Sequence, residues 1–157
     1  MKRIMVALAI IMVMLAGCGG GASDPTPTTT AKIGIEVTLP SGSYWRISPV
    51  QLASLERTSY LLVCVDEQPA MVINNTDLFV KYTEIAQHLD KFPADKDRRI
   101  VVYCISGTFA SPPVAEALVA AGYTMVSHLE GGTLRWQQQG YPVVAYTGTP
   151  NRVGGGG

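Results

Sequence analysis

The sequence has few of the residues that build metal sites and disulfide scaffolds. Its 157 residues include three cysteines and two histidines. Three cysteines are too few for a disulfide-stapled domain, and Cys64, Cys104, His88 and His128 lack the spacing of metal ligands. Twelve basic and twelve acidic side chains cancel, so the charge indicates neither nucleic acid nor an acidic surface as a partner. The length fits one domain with appendages, and no cofactor or metal is implied.

The one long apolar run lies at the start of the chain and is short for a membrane span. Lys2-Arg3 precedes apolar residues 4–16. The following Leu15-Ala16-Gly17-Cys18 resembles the lipobox of bacterial lipoprotein signals. This resemblance implies that residues 1–17 are a signal peptide and that Cys18 is lipidated, which would anchor the protein to the membrane on the extracytoplasmic side of the cell envelope. The alternatives are a plain signal peptide and a short membrane anchor.

The rest of the chain divides into a tether, a domain and a tail. Residues 19–32 are low-complexity and offer nothing apolar to bury, so 18–43 is interpreted as a largely disordered tether. Alternating apolar residues within 33–40 predict an edge strand added to the domain. The domain is expected over 44–146, followed by a flexible glycine-rich tail over 147–157.

Short apolar runs and helical patterns alternate within the domain, which predicts the α/β class. Four apolar or aromatic residues in succession, Ile100 to Tyr103, are typical of a strand buried on both faces. We therefore expect a mostly parallel central sheet of about five strands with helices on both faces. The predicted strands are 44–47, 60–65, a short 69–73, 100–103 and 123–129. The predicted helices are 49 to about 55–57, 78–91 with Asp77 as cap, 114–121 and a last helix opened by Gly131-Gly132.

The candidate site follows the strand 100–103. Cys104 lies where ligands bind in open α/β sheets, beyond the carboxyl end of a strand. Ser111-Pro112 then predicts a helix start with Ser111 as N-cap. Successive backbone N–H groups before a helix N-terminus stabilise an anion, so Cys104 is predicted to be a reactive thiolate cradled by its loop. The alternative is a buried strand cysteine before an ordinary turn. The predicted loop consists of Ile105, Ser106, Gly107, Thr108, Phe109 and Ala110.

Two segments together resemble the rhodanese (thiosulfate sulfurtransferase-like) domain family. They are Val102-Tyr103-Cys104-x-x-Gly107, and Leu129-Glu130-Gly131-Gly132 followed by Trp136 and Gly140-Tyr141-Pro142-Val143. The resemblance implies a single rhodanese-like domain, expected to be a monomer. It also implies that Cys104 takes sulfur from a small donor, holds it as a persulfide and passes it to a thiol acceptor or cyanide. The rival interpretation is a non-catalytic rhodanese-like module for binding or redox sensing.

The sequence departs from this family at its most functional positions. Thiosulfate-cleaving members commonly have a basic residue after the cysteine and another at the end of the loop, where this chain has Ile105 and Phe109. One extra residue would place Ala110 at the loop end, as in phosphatase-like relatives, but these need an arginine there. We therefore discount a phosphatase strongly. The usual Asp-x-Arg after the second strand is also missing. These departures favour the rival interpretation.

Cys64 and His128 are further candidates near the loop. Cys64 ends the second buried strand, and in this fold family that strand neighbours the strand of Cys104 at about 4.8 Å. Cys64 could therefore resolve an oxidised or persulfidated Cys104 as a disulfide; the alternative is an inert core residue. His128, near the end of the last strand, could approach the loop as a base or could simply pack.

Overall fold

The structure is a computed structural model that describes residues 31–148. The predicted signal peptide, Cys18, residues 18–30 of the predicted tether and residues 149–157 of the predicted tail lie outside the described residues. Among residues 31–148, no helix combines the length and the apolar character needed to cross a bilayer.

The described residues form a six-stranded central sheet in which all but one of the neighbouring pairs are parallel. The strands are β1 (Ile35–Leu39), β2 (Gly42–Ile47), β3 (Leu61–Cys64), β4 (Met71–Ile73), β5 (Leu78–Phe79), β6 (Ile100–Tyr103), β7 (Val126–Leu129) and β8 (Val143–Ala145). The order in the sheet is β1-β2-β7-β6-β3-β5, with β1 antiparallel to β2. Strands β4 and β8 pair separately. The prediction of a mostly parallel α/β sheet is confirmed, with six strands instead of about five.

The α-helices are short and begin with recognisable sequence signals. They are α1 (Pro49–Ala53), α2 (Ser111–Ala120) and α3 (Gly132–Gln138), and 3-10 helices cover Arg57–Ser59, Tyr82–Gln87 and Leu89–Lys91. Helix α1 begins with a capping box, in which the Ser48 hydroxyl accepts from the Gln51 amide and the Gln51 side chain accepts from the Ser48 amide. Pro49 occupies the first turn, where its missing N–H has no helical partner to lose.

Both faces of the sheet are buried, and the central strand divides its side chains between two cores. Ile100 and Val102 of β6 face the first core, which α2 covers. Val101 and Tyr103 face the second core, which α1 and α3 cover. All four side chains are fully buried. This alternation explains why β6 is a continuous apolar run: each face of a parallel sheet packs against helices.

The helix predicted over 78–91 is wrong. Leu78 and Phe79 instead pair in parallel with β3 at the edge of the sheet, and 3-10 turns follow. Asp77, the predicted helix cap, accepts a hydrogen bond from the Leu62 amide at 2.8 Å, and this contact holds the chain extended beside β3. The apolar residues of the segment still pack against the first core, with Ile85 buried, so the pattern identified the core face but not the backbone conformation.

Candidate active site

Cys104 lies directly after β6, at the carboxyl end of a strand in the middle of the sheet. The loop of residues 104–110 connects β6 to α2. Cys104 is 1% exposed as a residue, yet it reaches the floor of a pocket of about 420 Å³ beside the loop. The pocket is lined by Asp66, Glu67, Gln68, Pro69, Tyr82, Cys104, Ile105, Ser106, Phe109 and Ala110.

The start of α3 fixes the direction of the loop carbonyls. The amide of Thr133 donates to the Cys104 carbonyl at 3.1 Å, and the amide of Leu134 donates to the Ile105 carbonyl at 3.0 Å. A Cβ on Gly132 would lie only 1.9 Å from the Cys104 carbonyl oxygen. A glycine is therefore required for α3 to approach the loop this closely. The Gly131-Gly132 motif thus supports the loop without contacting the sulfur.

Gly107 turns the loop back over the cysteine. It has a φ of +68°, and a Cβ there would lie 2.5 Å from the Gly131 nitrogen and the Leu129 carbonyl oxygen. In this conformation the Gly107 amide donates to the Cys104 Sγ at 3.2 Å. The small residue at this position therefore has two roles, since it permits both the positive φ and the contact with the start of α3.

The Sγ of Cys104 is surrounded by hydrogen-bond donors. The Ser111 hydroxyl lies 3.5 Å from it, and the amides of Ser111, Ala110 and Gly107 also donate towards it. Burial acts to raise the pKa of Cys104, but these four contacts outweigh it and the pKa lies below the ordinary value. The thiolate is therefore accessible without a cationic neighbour.

One local sequence prediction for the loop needs correction. Ser111 is not the N-cap of α2: Ala110 holds that position, and the Ser111 hydroxyl faces the sulfur because Ser111 is the first helical residue. The hydroxyls of Ser106 and Thr108 lie 3.0 Å apart and bond to each other. Ser111 is thus a site residue that the sequence reasoning missed, and its signal was a hydroxyl at the first turn of the helix after the cysteine.

Asp66 is a second residue that the sequence reasoning missed. It lies just beyond β3, lines the pocket, and accepts a hydrogen bond from the Ile105 amide. Burial raises the pKa of this carboxyl, while the Ile105 amide acts in the opposite direction. The amide of Ile105 therefore donates to Asp66 instead of the Cys104 sulfur. Ile105 is thus not one of the loop residues whose amides stabilise the thiolate. The sequence signal of Asp66 was a carboxylate immediately after the strand adjacent to β6.

The structure does not bring Cys64 and Cys104 to the same face of the sheet. Cys64 pairs in register with Tyr103, one residue before Cys104, and its side chain lies in the second core while that of Cys104 lies in the first. Both thiols are free. Burial raises the pKa of Cys64 to about 12, so this thiol is protonated and unreactive. The resolving role of Cys64 stays a prediction, and this geometry speaks against it.

His128 packs instead of approaching the sulfur. It lies in β7 opposite Val102, with its ring against Tyr44 at a centroid distance of 5.6 Å. Burial, and then the charge of Arg46, lower its pKa. Among the described residues that line the Cys104 pocket, His128 is absent. A role for His128 as a base has no geometric support.

The fold and the site together define an α/β domain with a buried cysteine in an amide-lined loop at the carboxyl end of a mostly parallel sheet. A rhodanese-related protein from Thermoplasma volcanium has this fold, with a TM-score of 0.55 and 24% identity over 63% of this chain and 96% of that one. The solution structure of a rhodanese-like domain from Anabaena gives a TM-score of 0.56 and 18% identity, covering 71% of this chain and 89% of that one.

Sequence comparison agrees with the fold. A family model of the rhodanese-like domain matches residues 67–139. A sulfurtransferase from Allochromatium vinosum is 42% identical over 53 residues, which are 34% of this chain and 49% of that protein. This match spans about half the length of the curated relative. Residues 67–139 are therefore similar in sequence to the rhodanese-like domain, and the described residues share its fold.

Proposed function

We propose that the protein is a sulfurtransferase, or sulfur carrier, that works through a persulfide on Cys104. The observation that carries this proposal is the set of donors around the sulfur, namely the Gly107 amide at 3.2 Å and the Ser111 hydroxyl at 3.5 Å, together with the amides of Ala110 and Ser111. A cradle of this kind stabilises negative charge on Cys104, or on a second sulfur attached to it, without a bound cation. The match to a curated sulfurtransferase supports the same conclusion.

The reaction consists of two sulfur transfers that exchange one S–S bond for another. The Cys104 thiolate attacks the outer sulfur of a donor R–S–SH, the donor S–S bond breaks, and R–S⁻ leaves as Cys104–S–SH forms. An acceptor thiolate then attacks the outer sulfur of this persulfide. A new acceptor persulfide forms and the Cys104 thiolate is regenerated, so the cycle needs neither an oxidant nor a reductant. With cyanide as acceptor the product is thiocyanate.

Mass spectrometry and cyanolysis on the purified full chain test this proposal. After incubation with a persulfide donor, we expect one added sulfur on the peptide that contains Cys104, and thiocyanate release on addition of cyanide. Cys104→Ala should abolish both signals. Cys64→Ala is the matched control, because it removes the other described thiol and should leave both signals intact. Failure of wild-type protein to accept sulfur would refute the proposal.

One observation favours the rival function of a non-catalytic binding or redox-sensing module. Over residues 31–148, the pocket at Cys104 is lined by no lysine, arginine or histidine, so a cation to hold a leaving group is missing there. A sensing module would form a sulfenic acid or a mixed disulfide at Cys104 under oxidant while releasing no thiocyanate in the cyanolysis assay. The two functions therefore give opposite results in one experiment.

We further propose that the mature protein is lipid-anchored through Cys18 on the extracytoplasmic side of the cell envelope. The support is the Leu15-Ala16-Gly17-Cys18 sequence. Several acyl chains on one residue give stable anchoring, since each buried CH₂ contributes about 0.8 kcal/mol. Expression in a bacterial host with a labelled fatty acid should label the wild-type chain and leave Cys18→Ala unlabelled. We also propose that the protein acts as a monomer and exchanges sulfur with small donors and thiol acceptors.

A further inference from the structure

We propose that the Cys104 pocket selects sulfur donors and acceptors that are uncharged or positively charged and carry an apolar group, and that it disfavours dianions such as thiosulfate. This inference rests on the proposed function and specifies its substrate class. It follows from two features of the pocket walls, namely their charge and their apolar surface.

The charge of the walls is negative. Asp66 and Glu67 both line the pocket. Among the described residues, no lysine or arginine on that lining offsets their negative charge. Lys81 lies beside Glu67 and lines a neighbouring pocket that Asp66 and Glu67 also line, but its ammonium group donates to Glu84 at 3.1 Å. A dianion that enters therefore meets charges of its own sign. Like-charge contact of this kind rejects a ligand even where the area buried is adequate.

The direction of attack places the donor's substituent against these walls. The thiolate of Cys104 must approach the outer sulfur, so the rest of the donor lies on the far side of that sulfur, towards the pocket mouth. For thiosulfate this part is the sulfonate group, which would lie near Asp66 and Glu67. The amide donors of the floor cannot compensate, because they surround the Cys104 sulfur.

The remaining walls suit an apolar substituent. Tyr82 and Phe109 pack edge to face with ring centroids 5.5 Å apart. Phe109 is 70% exposed and Ile105 is 51% exposed, although both side chains are large and apolar. A donor that carries an alkyl or aryl group would cover part of this surface, and a primary amine on it could pair with the carboxylates of Asp66 and Glu67.

Two donors of matched size test the inference: the persulfide of cysteamine, which carries an ammonium group, and the persulfide of 3-mercaptopropionate, which carries a carboxylate. The rate of sulfur addition to Cys104 is measured in single turnover on the full chain, with thiosulfate as a third donor. Each rate is divided by the rate of the same donor with free cysteine. We expect the cationic persulfide to react about ten-fold faster than the anionic one, equivalent to about 1.4 kcal/mol, with thiosulfate slowest.

Charge variants at the pocket mouth identify the cause. Glu67→Gln should reduce the ratio of the two persulfide rates, and Glu67→Lys should reduce it further and raise the thiosulfate rate. Glu36→Gln and Glu36→Lys are the matched controls, because Glu36 is exposed on β1 and the same change in net charge there should leave the ratio unaltered. If the ratio is near one or inverted in wild type, or if the Glu67 variants leave it unchanged, the inference is overturned while the proposed function stands. If no donor adds sulfur to Cys104, the proposed function itself fails.

Discussion

Replacing Ser111 with alanine should raise the pKa of Cys104 by about one unit. The Ser111 hydroxyl is fully buried and lies 3.5 Å from the Cys104 Sγ. A hydrogen bond to a charged group contributes about 1.5–3 kcal/mol. We take the lower end because this contact is long, and about 1.4 kcal/mol corresponds to one pKa unit. The amides of Gly107, Ala110 and Ser111 remain in the variant, so most of the cradle is kept.

The assay is the pH dependence of alkylation, read by mass spectrometry on the peptide that contains Cys104. Because the pKa of Cys104 lies below its ordinary value, the wild-type rate should reach its plateau at a lower pH than that of a free cysteine. The profile of Ser111→Ala should shift to higher pH, which lowers the thiolate fraction up to about ten-fold on the rising part of the curve.

Ser106→Ala is the matched control for this experiment. It makes the same chemical change in the same loop, but the Ser106 hydroxyl contacts Thr108 and not the sulfur. Its alkylation profile should overlay that of wild type. An unchanged pKa in Ser111→Ala, or an equal shift in both variants, would refute the conclusion that the Ser111 hydroxyl stabilises the thiolate.

Three further predictions concern the scaffold. Gly132→Ala should lower the free energy of unfolding by at least about 2 kcal/mol more than Gly140→Ala in urea denaturation, because both glycines have positive φ but only Gly132 would clash with a backbone atom. Tyr103→Phe should cost about 1–3 kcal/mol in the same assay, since the Tyr103 hydroxyl is a buried partner of the Ile73 amide at 3.1 Å and of Thr76 at 2.6 Å. Cys64→Ala should flatten the loss of stability at alkaline pH: a pKa raised from 9.0 to about 12 gives a contribution that is complete below pH 9 and is lost as the pH rises towards 12.

The parts of the molecule that the sequence predicted well are those fixed by short-range patterns. The strand before Cys104 is a run of side chains buried on both faces, and such a run has few other uses in a small α/β domain. The Gly131-Gly132 pair comes one residue after β7, and its need for glycine is explained by the close approach to the loop that follows β6. These patterns predict the positions of the cysteine, its loop and the supporting turn from the sequence alone.

Two differences between the expectations and the structure involve contacts between segments that are distant in the chain. Leu78 forms a strand because β3 offers it an edge and the Leu62 amide holds Asp77, and neither contact can be read from helical spacing. Cys64 faces away from Cys104 because the strands pair with Cys64 opposite Tyr103, and a register offset of one residue reverses the face of a side chain. The sequence pattern predicts β3 and β6, but it does not predict which residue of one strand lies opposite which residue of the other.

Activation of the nucleophile and selection of the substrate are assigned to different parts of this site. The floor supplies four neutral donors to one sulfur, and these act on charge at Cys104 whatever the donor carries. The wall supplies Asp66 and Glu67, which act on the substituent beyond that sulfur. The Ile105 amide joins the two parts, since it donates to Asp66 and holds that carboxylate beside the loop. Under the proposed function, the absence of the basic residues found in thiosulfate-cleaving rhodaneses therefore need not disable the cysteine. The thiolate stays stabilised by the backbone and Ser111, and the walls would determine which donors can reach it.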